Sequence, residues 1–178
     1  METQKFEISG TQSHLDWVGR KVTGAHHGTI DVKAGSLILT GGKLTGGEFI
    51  IDTASIKILD VTDPATNAQF AGHLASEDFF SSEKYPEALL CIISVSENQI
   101  EAHLTIKGIT HPISFTAIVN VDGDMLFASG KLVIDRTRYD MKFRSGNFFK
   151  DLGDTLIYND FDLDVKVTAR AVKENILA

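Results

Sequence analysis

Residues 99–121, QIEAHLTIKGITHPISFTAIVNV, decide the fold class. The first run sets Ile100, Ala102, Leu104 and Ile106 against Glu101, His103, Thr105 and Lys107, the period-two alternation of a strand with one dry and one wet face. From Ile113 onward the pattern repeats, with Phe115, Ala117, Val119 and Val121 on one face. Lys107, Gly108 and the corner at residues 110–112 supply a turn between the runs, so the segment reads as an antiparallel hairpin.

The same alternation returns near the carboxyl end. Phe161, Leu163, Val165, Val167, Ala169 and Ala171 interleave with Asp162, Asp164, Lys166, Thr168 and Arg170, again one dry face and one wet. Further strands are predicted at residues 5–9, 15–22, 28–33, 36–40, 44–52, 88–96 and 126–135. Residues 88–96, ALLCIISVS, are apolar on both faces. The strand therefore reads as covered and Cys91 within it as a buried, inert thiol.

Helical signals are confined to one insertion, residues 64–82. Asp63 before Pro64 is a cap with proline at the first helical position, and Phe70 with Leu74 forms an apolar pair four residues apart. Ser76 is read as the cap of a second short helical turn opened by Glu77 and Asp78, from which Phe79 and Phe80 leave in different directions. Tyr85 and Pro86 then force extended backbone. Many amphipathic strands without alternating helices mean a barrel or a sandwich, and closure into a barrel removes exposed sheet edges. Sequence pattern alone does not choose between the two.

A chain of 178 residues with 43% hydrophobic composition fits one domain, residues 1–178, large enough for a full core or one hollowed into a cavity. A net charge of -7 argues against a nucleic-acid partner and against electrostatic docking on an anionic bilayer. The single cysteine cannot form an internal disulfide. The amino end, METQKFEISG, has neither the basic start nor the apolar centre of a signal peptide, and no apolar run is long enough to span a bilayer. The chain reads as cytoplasmic; a periplasmic protein whose signal had been removed would look the same.

The chain has no phosphate loop, dinucleotide fingerprint, HExxH, paired cysteines or GxSxG elbow. His26 and His27 are adjacent, so in a strand they point to opposite faces and cannot easily clasp one ion. His103 falls on the wet face, His111 in the turn, and His73 beside the helical insertion, where the favoured role is a cap or hydrogen-bond partner of the helix end and the competing one is contact with a ligand head group. Asp135, Arg136 and Arg138 cluster at a strand end. The favoured reading is a loop braced by charge-assisted hydrogen bonds; the competing one puts Arg136 or Arg138 against a phosphate or polar ring of a ligand.

Four segments in order, GAHHGTI at 24–30, HLASEDFFSSEKYP at 73–86, LTIKGITHPISF at 104–115 and IDRTRYDMKF at 134–143, resemble the YceI-like family of lipocalin-shaped lipid-binding proteins. The resemblance runs from about Phe6 to Ala171. It implies an all-β fold, an eight-stranded antiparallel lipocalin-like barrel with a short helical insertion, and it marks Asp135, Arg136 and Thr137 as a motif. It also implies binding of a long apolar molecule, an isoprenoid, an isoprenoid quinone or another lipid, in the barrel. Many members of the family carry a signal peptide and work in the periplasm, a pattern from which this amino end departs.

Eleven phenylalanines stand against three tyrosines and one tryptophan, a composition that lines apolar cavities but also fills ordinary cores. The ligand-binding candidates are Trp17, Phe49, Phe79, Phe80, Leu104, Phe115, Phe127, Phe143 and Phe161. Phe115 and Phe161 stand on unambiguous dry faces, whereas Phe49 and Phe127 share strands with apolar residues on both faces. No catalytic residue, metal site or cofactor is expected beyond a bound isoprenoid or other lipid. The expected partner is that apolar molecule, and a homodimer is compatible with these features. Two alternatives stand beside binding. One is a hydrolase or isomerase of a small apolar substrate, using His73 or His27 with Asp78 as acid and base. The other is a stress-related interaction protein with a filled interior.

Overall fold

The structure is a computed structural model that describes residues 2–145 and 157–172. Among the described residues it has nine strands, β1 (Thr3–Ile8), β2 (His14–Lys21), β3 (Gly24–Thr40), β4 (Lys43–Ile58), β5 (Glu87–Ser96), β6 (Gln99–Ile106), β7 (Ile109–Asp122), β8 (Met125–Asp135) and β9 (Ile157–Ala171), and one α-helix, α1 (Pro64–Ala75). All neighbours are antiparallel, and the pairing of β3 with β4 closes the sheet. β1 and β2 share one position: each pairs with β3 on one side and β9 on the other. Nine strands thus occupy the eight positions of a closed barrel, and no long edge is left to template aggregation.

The β6–β7 hairpin follows from its sequence, with a tighter turn than predicted. Lys107 and Gly108 alone form it, at φ 54° and 73°, the paired positive angles of a two-residue turn that matches strand twist. β7 therefore begins at Ile109 and carries Pro112 inside it. Proline is tolerated there because β8 pairs with β7 only from Ala117 onward, which leaves Pro112 without a neighbour on that side. The predicted strands 28–33 and 36–40 are one strand, β3; a register shift against β4 between Val32 and Ala34 bends it without ending it.

The helical insertion is shorter than expected. Asp63 caps α1 through a bond from the Thr66 amide at 3.0 Å, with Pro64 at the start. Ser76 closes this helix, its N–H and hydroxyl both donating to the His73 carbonyl. Its Oγ also accepts from the Asp78 amide. The expected second helical turn is instead a series of tight turns through residues 76–85, because Ser76 leaves α1 with extended backbone.

The connections β2–β3, β4–β5, β6–β7 and β8–β9 lie at one end of the barrel. That end is covered by α1, residues 76–86 and a 3-10 turn at Arg136–Tyr139. The other end is packed solid: Phe6, Leu37, Leu39, Leu126 and Ala169 have at most 1% of their surface exposed.

Three expected side-chain directions are corrected. Phe127 points outward and is 45% exposed, because Leu126 takes the inward position on β8. Cys91 is exposed, since Leu90 and Ile92 take the inward positions of β5 and leave Leu89, Cys91 and Ile93 on the outer face. Lys107, expected on the wet face, is buried, because its left-handed turn directs the amine beneath the covering segments.

Candidate functional site

The half of the barrel beneath α1 is hollow. A cavity of about 620 Å³ extends between the strand walls and the covering segments, within the range of small-ligand sites. Its walls are Leu15 and Trp17 of β2, Ile30 of β3, Ile51 and Ile56 of β4, Ala88 of β5, Leu104 and Ile106 of β6, Ile134 of β8, and Phe161 and Leu163 of β9. Phe70 and Leu74 of α1, Phe79 and Phe80 of the turns, and Met141 and Phe143 close over it.

Trp17 sets the form of the β2–β3 wall. Its indole N–H donates to the Thr29 carbonyl at 3.2 Å, and a β-carbon on the facing Gly28 would stand 2.7 Å from the ring and 1.7 Å from the Lys57 carbonyl oxygen. Only glycine fits, which accounts for the second glycine of GAHHGTI.

Of the nine predicted ligand residues, the structure brings six to this cavity: Trp17, Phe79, Phe80, Leu104, Phe143 and Phe161. Three lie elsewhere. Phe49 and Phe115 face inward but pack in the filled half of the barrel, and Phe127 stands on the outer surface. Strand periodicity found the inward face and carries no information about depth along the barrel axis.

The covering segments are bolted to the barrel by two buried cations. Arg136 donates through Nε to the Tyr158 carbonyl and through Nη2 to the Ile157 carbonyl, each at 3.0 Å, and through Nη1 to the Met141 carbonyl. Its guanidinium lies 5.7 Å from the centre of the Phe79 ring. Burial lowers its pKa to about 10, with Asp135 opposing the shift, so it stays charged at neutral pH. Asp135 in turn accepts from the Thr137 amide and hydroxyl. The IDRTRY segment is therefore a brace, as the favoured reading had it, and Arg138 is exposed, its carbonyl bonded to His111. Lys107 is the second bolt, donating to the carbonyls of Glu77 at 2.7 Å and Asp140 at 2.9 Å. Sequence reasoning missed it, since a lysine in an alternating strand looks like any solvated one.

Polar groups gather at the opening between α1, the β2–β3 turn and the start of β9, where Arg20, Lys21, His26, Thr66, Gln69, Arg144 and Asp160 line the cavity. Arg20 is held by Asp162 at 2.8 Å. His26 packs edge-on against Phe70, and its Nδ1 lies 2.8 Å from Asp60. The Asp60 carboxyl sits below the usual range: burial pushes it up, but bonds from the His26 ring and the His27 amide outweigh that. The His26–Asp60 pair spans 34 positions and left no local signal in the sequence.

The structure also joins His73 to Asp78, Nε2 to Oδ2, at 2.9 Å. The His73 ring stands edge-on to Phe79 and Phe143. Among the described residues no hydroxyl or thiol is hydrogen-bonded to this imidazole. Among the described residues, no cluster of three or more His, Cys, Asp or Glu side chains is placed to hold a metal, and no helix is long and apolar enough to cross a membrane.

Comparison with known proteins agrees with this geometry. The chain is similar to a UPF0312 protein of Pseudomonas putida strain W619, 25% identical over 125 residues, which are 67% of this chain and 62% of that protein. The match therefore spans less than two thirds of the relative's length. Among solved structures it resembles a polyisoprenoid-binding domain from Saccharophagus degradans implicated in plant cell wall breakdown. That likeness has a TM-score of 0.72 at 16% identity over 94% of this chain and 98% of that one. Burkholderia cenocepacia BcnA has a TM-score of 0.67 at 20% identity over 91% and 99%. At these identities the structures speak for the fold. The YceI-like domain family itself matches residues 6–169, a span that takes in the barrel, α1 and the brace, and the chain belongs to that family.

Proposed function

We propose that this protein binds one long apolar molecule, an isoprenoid, isoprenoid quinone or other lipid, in the cavity beneath α1, and so sequesters or carries it. The observation that carries the reading is the distribution of polarity. The buried polar groups of the cavity are satisfied by the protein itself, Thr53 on the Tyr85 carbonyl and Arg136 on three carbonyls, while the wall away from the opening is mostly aliphatic or aromatic. Such a surface gains about 25 cal/mol for each Å² of ligand it takes from water, before ordering costs. The likeness to a polyisoprenoid-binding domain supports the same ligand class.

Mass analysis of the organic extract of gently purified protein tests this. Near-stoichiometric lipid is expected, released only on denaturation. Protein that purifies empty and retains no added isoprenoid would sink the reading. The His73–Asp78 pair is the foothold the sequence reading gave the hydrolase alternative; turnover of a short apolar ester that His73→Ala abolishes would favour it instead.

A further inference from the structure

The cavity ends at one level around much of the barrel. Ile51 lines it and Phe49, the next inward residue of β4, does not; Leu104 lines it and Ala102 does not; Leu163 lines it and Val165 does not. Below that level the barrel is filled, with Phe6, Leu37, Leu39 and Leu126 buried and Phe49 and Phe115 packed into the same core. Phe49 is paired with Gly35 on one side and with Leu90 on the other, and Leu90 is paired with the cavity-lining Leu104. The Phe115 ring lies over Gly130, 3.6 Å from where a β-carbon would stand.

From this we infer that the binding site has a floor that limits the buried tail of its ligand, with Phe49 as the ring that sets the limit. The inference rests on the lipid-binding reading above. At roughly 30 Å³ for each water-sized group, a volume of about 620 Å³ takes about 20 carbons, or roughly four isoprene units. A longer chain leaves the remainder outside the opening, where it gains no burial.

The experiment is a competition. Purified protein is incubated with an equimolar mixture of geraniol, farnesol, geranylgeraniol, geranylfarnesol and solanesol in detergent, re-isolated, and its bound fraction quantified by mass spectrometry. Retention should rise by up to about fourfold per added carbon through geranylgeraniol and then stop rising, with solanesol held no better. In Phe49→Ala the plateau should move to geranylfarnesol or beyond. If that variant does not fold, Phe49→Leu tests the same point, and the wild-type ladder stands without either. Retention that keeps climbing to solanesol overturns the floor while leaving lipid binding intact. A plateau that Phe49 variants do not shift removes Phe49 from its role. Failure of every isoprenol to bind overturns the lipid reading itself.

Discussion

Arg136→Met should detach the cover from the barrel. The native guanidinium supplies donors to the carbonyls of Met141, Ile157 and Tyr158 and lies against the Phe79 ring, with only 4% of the residue exposed. Methionine fills much of the volume and donates nothing, so three carbonyls lose a partner in a site with little water. Each such loss is worth about 1 kcal/mol or more, and bonds to a charged donor lie at the upper end. The net loss should be about 3 to 5 kcal/mol, which for a chain of this size lowers Tm by roughly 10 °C. Arg138→Met, two positions away on the exposed side of the same turn, should change stability by no more than about 0.5 kcal/mol. Urea titration and thermal unfolding followed by circular dichroism measure both. Because the bonds hold the start of β9 against the cover, Arg136→Met should also release bound lipid faster, while Arg138→Met should not. Equal midpoints for the two variants would refute the brace.

Two further outcomes follow from the same geometry. Cys91 should react with a thiol reagent at nearly the same rate in native and unfolded protein, because it faces outward from β5 opposite Glu48 and His103; strong native protection would place that face under a cover. Asp60, whose folded pKa lies below its ordinary value of 3.8, contributes stability that is present above that value and lost as pH falls through the lowered one. The Tm gap between wild type and Asp60→Asn should therefore be open at neutral pH and close in acid, and a gap that persists unchanged in acid would separate Asp60 from the effect.

The YceI-like membership was legible in the chain because its motifs are local, and the choice of a barrel over a sandwich came with that resemblance rather than from the strand pattern. The alternation in residues 99–121 and 161–171 fixes which side of each strand is dry, and Asp63 with Pro64 starts a helix wherever the chain goes next. Where a strand is apolar on both faces the period-two signal vanishes, and register alone assigns sides. For that reason Leu126 and Leu90 are inside while Phe127 and Cys91, their neighbours, are outside. Depth was equally illegible. Phe115 and Phe161 are alike in sequence, each on a clean dry face, yet one fills the barrel and the other lines its cavity. What separates them is the level at which closure places each residue along the barrel axis, a consequence of pairing between strands far apart in the chain. The pairs His26 with Asp60, Lys107 with Glu77 and Arg136 with Tyr158 are of the same kind. Each joins segments far apart in the chain near the covered end, so the sequence determined the strands, their dry faces and the family likeness, while tertiary packing decided which half of the barrel stayed hollow.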